Sequence, residues 1–176
     1  MINKFLKVEN FLTKDELTLL KEYTFIAHRS NFNRFDFQNG ADSGFYGDGI
    51  MESLMTIKKD KINELTSKKL SPTYSFWRMY TAFSILDRHK DRPSCEYSCT
   101  IQISSDGTEW PIYMDGQELT LRDGDAVIYK GCEVEHWRNE FKGDYQAQCF
   151  LHYVDSEGPF KEHIFDNRQL LGLAKK

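Results

Sequence analysis

His89 and Asp91 stand two apart in the run Leu86-Asp87-Arg88-His89-Lys90-Asp91-Arg92-Pro93, and His136 follows further along in Glu135-His136-Trp137-Arg138. Side chains alternate faces along an extended segment, so an imidazole and a carboxylate two residues apart reach toward one point. One distant histidine completes two imidazoles and a carboxylate, the facial set that holds non-heme Fe(II) and leaves coordination positions open. A His-x-Asp flanked by Arg88 and Arg92 also fits a solvated, salt-bridged turn. Its placement between two strand-like segments, with a later histidine beyond a Gly-Asp turn, favours the metal.

The remaining histidines divide by context. His28 ends a helical stretch and His163 lies in a polar tail, both surface settings. His152 sits inside the apolar run Cys149-Phe-Leu-His-Tyr-Val154 and competes with His136 for the third ligand position; a hydrogen-bonded core imidazole, or one supporting a ligand from behind, suits it better. His136 follows a turn, a strand and another turn over residues 124–131 and so begins the strand that returns toward the metal. Cys95 and Cys99 lack the tight spacing of thiolate zinc sites and fit buried strand positions.

The elements that must position these groups are legible in outline. A chain of 176 residues suits one domain able to bury a core of its own. Aromatics make up 14% of it, with 13 Phe and 9 Tyr, which favours β-rich packing. The net charge of −4, without any block of Lys or Arg, argues against nucleic acid as a partner. The first residues hold no apolar stretch long enough for a signal or a membrane span, which predicts a cytoplasmic protein with no membrane partner and with Cys95, Cys99, Cys132 and Cys149 reduced.

Residues 4–12 alternate loosely as a short strand. Thr13 and Glu16 form a capping box, with Leu12 and Leu17 placed as a hydrophobic staple, and open a helix whose inward face is Leu17, Leu20, Tyr23 and Phe25. Residues 31–49 mix Asn, Gly and Asp with Phe32, Phe35, Phe37, Phe45 and Tyr46, which fits a substrate-side lid or a loop covering the core equally. Ile50, Leu54, Ile57, Ile62 and Leu65 recur at helical spacing.

After Ser71-Pro72 the pattern becomes β: 74–83, 96–104, 110–114 and 117–121 about an Asp115-Gly116 hairpin, then 125–129, 133–138 and 145–154. About eight short strands with regular turn signals read as a jelly roll or similar antiparallel barrel. Helical support occupies about 1–70 and the β core about 71–155 of a single domain. Pro93 confines Arg92 to an extended conformation, and Glu96 is placed to pair with Arg92 or Arg88.

Tyr80 nine residues before His89-x-Asp91, the strand 97–104, Gly124-Asp125-Ala-Val-Ile-Tyr129 and then His136 resemble the double-stranded β-helix of the 2-oxoglutarate/Fe(II)-dependent oxygenases, in particular the small prolyl 4-hydroxylase-like branch. The stretch Phe11-Leu-Thr-Lys-Asp-Glu-Leu17 is similar to the strand and capped helix with which those domains begin. The resemblance implies a jelly-roll, cupin-like fold, iron bound by His89, Asp91 and His136, and Tyr80 lining the 2-oxoglutarate pocket. It implies Fe(II), O2 and 2-oxoglutarate, with ascorbate as an optional further cofactor, and hydroxylation of a prolyl residue in a protein or peptide or of a small molecule.

One departure stands out. The family places Arg or Lys some nine to eleven residues after its last histidine to grip the distal carboxylate of 2-oxoglutarate, and here Tyr145, Gln146 and Ala147 occupy those positions. Arg138, two after His136 on the same face of a strand, offers a planar fork suited to a carboxylate, or pairs with Glu133, Glu135 or Glu140 at the surface. Gln148 can assist, and Ser98 with Thr100 shares a strand face from which a bound acid can be hydrogen-bonded. Trp77, Trp110, Trp137 and Tyr153 serve as pocket wall or as core. Two other function classes remain: a cupin-like metalloenzyme that uses the same ligands without a keto acid, and a non-catalytic β-sandwich binding module.

Overall fold

The computed structural model describes residues 2–30 and 43–174. Among the described residues, ten strands form two sheets. In chain order the elements are β1 (Phe5–Val8), α1 (Lys14–Ser30), β2 (Ser43–Tyr46), α2 (Gly49–Thr66), β3 (Leu70–Thr81), β4 (Leu86–His89), β5 (Tyr97–Ser105), β6 (Ile112–Met114), β7 (Gln117–Leu119), β8 (Ala126–Lys130), β9 (His136–Arg138) and β10 (Tyr145–Asp155). Short 3-10 turns occupy Pro93–Cys95 and Lys161–Asn167. The larger sheet has the order β1-β8-β5-β10-β3-β2 and the smaller β4-β9-β6-β7, with antiparallel pairings throughout. This is the jelly-roll arrangement of a double-stranded β-helix, open at its margins rather than closed into a barrel.

The capping box is realised: Thr13 N donates to Glu16 Oε2 at 2.7 Å and Glu16 N to Thr13 Oγ1 at 3.3 Å, so two otherwise orphan amides at the start of α1 are satisfied. Asp48 caps α2 by accepting from the amides of Ile50 and Met51. The buried stripe of α2 is Met51, Leu54, Met55, Lys58 and Ile62, whereas Ile57 points to solvent at 67% exposure. The stripe is therefore turned relative to the sequence expectation. Lys58 enters it because Glu16 pairs with its ammonium at 2.6 Å and the Phe11 ring lies beneath.

Period-two alternation divides the larger sheet. Cys99, Ile101 and Ile103 on β5, Cys149, Leu151 and Tyr153 on β10, Trp77 and Met79 on β3 and Ile128 on β8 face the helices and form the main core with Met51, Met55 and Leu20. Residues of the opposite parity, including Tyr74, Phe76, Arg78 and Tyr80 on β3, Thr100 on β5, Tyr129 on β8 and Phe150 and His152 on β10, face the smaller sheet and line a cavity. The Asp115-Gly116 hairpin has both φ values positive, 47° and 87°, as a two-residue hairpin turn of this hand requires. β2 is a strand the sequence pattern did not announce, the extended segment at His89 is the short β4, which stops before Asp91, and the lid-or-loop question for residues 31–42 lies outside the described residues. The four cysteines are free.

Candidate metal centre and adjoining cavity

β4 and β9 carry the two imidazoles face to face. His89 and His136 are register partners, with ring centroids 4.2 Å apart. The Nδ1 of His89 lies 2.7 Å from the Asp87 carbonyl oxygen, and that of His136 lies 3.0 Å from the Val134 carbonyl oxygen. A carbonyl only accepts, so both Nδ1 atoms donate, which leaves the Nε2 atoms as the ones that face the carboxylate. These Nε2 atoms lie 3.7 Å and 3.6 Å from the same oxygen, Asp91 Oδ1. The three ligand atoms all fall within 4.8 Å of one another. Burial pushes the pKa of His136 below the ordinary imidazole value, which favours the neutral, metal-ready form.

Asp91 reaches this point by a route other than strand alternation, since β4 ends at His89. Its amide donates to the Gly131 carbonyl at 2.9 Å, which fixes the loop, and Arg92 is extended (φ −73°, ψ 163°) before Pro93. Gly131 has no alternative at its position: an added Cβ would collide with the Cys95 carbonyl oxygen and the Asp91 carboxylate. Ser98 Oγ donates to Asp91 Oδ2 at 2.9 Å and lies 2.9 Å from His152 Nδ1. The hydroxyl has one proton, so His152 Nδ1 is the donor to Ser98. A chain His152→Ser98→Asp91 results, leaving Oδ1 turned to the imidazoles. Ser98 thus braces the carboxylate instead of lining the cavity, and His152 stands behind the ligand set. Burial lowers the His152 pKa to about 4. Asp91, Cys95 and His152 also lie within 4.8 Å of one another, but Cys95 is occupied by the Tyr74 hydroxyl at 3.1 Å and burial pushes its thiol up to about 12.

The cavity beside the triad has a volume of about 340 Å³ and runs along the inner face of the larger sheet from His152 and Tyr74 past Phe76 and Phe150 to Arg78 and Tyr80. Tyr80, as expected, is part of its wall. Arg138 is placed differently from either expectation. It is buried at 1% exposure and pairs with none of Glu133, Glu135 and Glu140, which meet Lys130, Arg88 and Lys142. It does not line the cavity: Nη1 donates to the Trp110 carbonyl and the guanidinium lies over the Trp110 ring. Among the described residues its Nη2 has no partner, and neither does either amide atom of the buried Gln148. Burial lowers the Arg138 pKa to about 10, so it stays charged at neutral pH.

Among the aromatics expected as wall or core, Trp110 stands edge-on to Tyr80 at 4.8 Å. Trp77 stacks on Phe45 at 4.0 Å and Tyr153 donates to the Met55 carbonyl, both in the helix-side core. Trp137 stacks on Tyr113 and carries Arg88 over its face. Glu96 accepts from the Asp155 amide at 2.8 Å rather than pairing with an arginine.

Sequence reasoning missed the mouth. Arg92 lies over the Tyr74 ring and its Nη2 is 3.2 Å from Asp166 Oδ2, which also accepts from Tyr46 Oη at 2.6 Å. Asp166 is 1% exposed and sits in three successive left-handed residues, Phe165, Asp166 and Asn167 (φ 58°, 53° and 64°). For residues with a Cβ this conformation costs roughly 1–2 kcal/mol each. Arg168 locks the run from the other side through Glu52 at 2.5 Å and the Thr73 carbonyl at 3.0 Å.

No protein-family model matches the sequence, and no curated protein matches it. The fold, by contrast, is that of the double-stranded β-helix oxygenases. A prolyl-4-hydroxylase of Pseudomonas putida superposes with a TM-score of 0.70 at 16% identity, covering 86% of this chain and 92% of that one. The prolyl hydroxylase of Trichoplax adhaerens, solved with a hypoxia inducible factor peptide fragment, gives 0.69 at 13% identity over 94% and 88%. HygX of Streptomyces hygroscopicus, solved with nickel and 2-oxoglutarate, gives 0.67 at 9% identity over 88% and 84%. Among the described residues no helix is long and apolar enough to cross a membrane.

Proposed function

We propose that this chain is an Fe(II)- and 2-oxoglutarate-dependent oxygenase that hydroxylates its substrate, with His89, Asp91 and His136 as the iron ligands. One observation carries the reading: two imidazoles bring Nε2 within 3.7 Å and 3.6 Å of one carboxylate oxygen beside a cavity. Such a set leaves further coordination positions for a keto acid and oxygen.

The chain also fits the second group. Arg138 Nη2 and the Gln148 amide are buried polar atoms without partners. Leaving such groups unmet costs about 1–3 kcal/mol each, more for a charge, and the negative charge of an acid bound nearby would offset it. This reading assigns Tyr80 and Gln148 to the co-substrate, with Arg138 supplying positive charge from behind the wall. Iron and 2-oxoglutarate bound together supply the oxidising chemistry, in which the keto acid is decarboxylated to succinate as oxygen enters a C–H bond. The residues hold ligand geometry through the Ser98–His152 chain, exclude water with Phe76, Phe150 and Tyr129, and hold the Asp91 carboxylate in one orientation.

Among substrates, a prolyl residue in a protein or peptide is the class the two prolyl hydroxylases suggest. A small molecule is the second, since HygX was also solved with hygromycin B. The test is succinate release from 2-oxoglutarate with added Fe(II), in wild type and Asp91→Ala. Release that needs both iron and Asp91 is expected. Metal binding with no binding or turnover of 2-oxoglutarate would instead assign the site to a cupin-like enzyme of another class, and metal content unchanged in Asp91→Ala would leave a binding module.

A further inference from the structure

We propose that Arg78, reaching from β3, holds the distal carboxylate of the co-substrate, replacing the cation that β10 lacks. The inference rests on the reading of the cavity as a 2-oxoglutarate site and adds to it the residue that selects a diacid over a monoacid.

Three observations carry it. Arg78 belongs to the inner-face set Tyr74, Phe76, Arg78 and Tyr80, and it lines the cavity while only 5% exposed. It stands directly opposite Gln148 in the β3–β10 register. Arg78 thus lies on the neighbouring strand, two residues along the register from Gln146, one of the positions at which a β10 cation is missing, and on the same inner face. The fork is also held in place: Nη1 donates to Tyr80 Oη at 3.3 Å, and the planar group lies 5.1 Å from the Phe76 ring centroid and 5.3 Å from that of Tyr80. A rigid guanidinium loses little freedom on gripping a carboxylate with two parallel N–H donors.

The span fits. His152, whose hydrogen bond to Ser98 marks the metal end of β10, and Gln148, opposite Arg78, are four residues apart, about 13 Å at 3.3 Å per residue. A five-carbon keto diacid on the metal and a long side chain reaching toward it close that gap between them. The other arginines are less suited. Arg92 adjoins the ligand Asp91 and is paired with Asp166 at the mouth, at the wrong end for the far carboxylate. Arg138 is engaged with the Trp110 carbonyl and forms no part of the wall.

The experiment is calorimetric titration of the Mn(II)-loaded full chain with 2-oxoglutarate and with 2-oxopentanoate, which has the same chain length but no distal carboxylate. Wild type should bind 2-oxoglutarate at least tenfold more tightly. Arg78→Gln should bring the two Kd values together with Mn(II) affinity unchanged, Arg78→Lys should keep part of the preference, and adding Gln148→Arg to Arg78→Gln should restore it by returning a cation to β10. A preference retained in Arg78→Gln overturns the proposal. Binding of neither keto acid by wild type overturns the underlying reading, a separate outcome. If Arg78→Gln fails to fold, Arg78→Met decides: a full wild-type preference with unchanged thermal unfolding overturns the proposal, and a lost preference supports it.

Discussion

The two faces of the larger sheet are made from alternate residues of the same strands and behave as different materials. Toward the helices, Cys99, Ile101, Ile103, Cys149 and Leu151 are buried apolar side chains. Toward the smaller sheet, the neighbours Ser98, Thr100, Gln102, Gln148 and His152 are buried and polar, and Gln148 has both amide atoms unmet. One face supplies stability; the other holds polarity that a well-packed protein avoids unless it is used. A one-residue step along β5 or β10 therefore moves a substitution from folding to chemistry.

The largest effect should come from the ligand set. Asp91→Ala is expected to abolish metal-dependent turnover and metal binding while the thermal unfolding of the metal-free protein stays in place; titration with Mn(II) and a melting curve check both. On the other face, Leu151→Ala should remove about 2–5 kcal/mol of stability in denaturant unfolding and leave metal affinity unaltered. If it weakened the metal site as strongly as it weakened the fold, the faces would not be separable.

The third prediction uses pH. His152 is held near pKa 4 by burial, against about 6.5 in the unfolded chain. Between these values the unfolded chain takes a proton that the native state refuses, so stability is complete above about 6.5 and falls as pH drops toward 4, by on the order of 3 kcal/mol. Unfolding of metal-free protein across that window measures it, and His152→Asn should flatten the slope. Ser98→Ala comes next: loss of the brace on Asp91 should weaken metal binding about 10–100-fold, with little change in fold. Smallest, Arg138→Met should raise stability by about 1 kcal/mol or more, because an unpaired buried charge gives way to an apolar side chain of similar volume, while 2-oxoglutarate binding weakens.

The sequence made the ligand set and the strand alternation legible for physical reasons. His89-x-Asp91 and a later histidine carry their chemistry in their types, and Glu96 to Ser104 alternates openly. The 74–83 strand is harder, because aromatics lie on both of its faces: Tyr74, Phe76 and Tyr80 inward, Trp77 toward the helices. Composition does not say which set meets the cavity, which leaves Trp77 open as wall or core until the fold puts it in the core. Arg78 did leave a signal, since it shares parity with Tyr80, but an arginine before the motif competes poorly for attention with Arg138 after it. Ile57 shows that helical spacing gives a stripe without its exact phase when methionines such as Met51 and Met55 complete it. Gly131 and Asp166 left no local trace, for each is defined by atoms that only the fold brings near.

The left-handed run at Asp166 bears on the order in which the molecule is completed. All three proposed metal ligands lie in the chain before residue 137, yet the carboxylate that steadies Arg92 and Tyr46 arrives some thirty residues later, on a segment that follows the last strand. A protein clipped after Asp155 would thus keep its His-Asp-His cluster but have a slack rim. Limited digestion of that tail offers a way to uncouple capture of the metal from admission of the molecule to be oxidised.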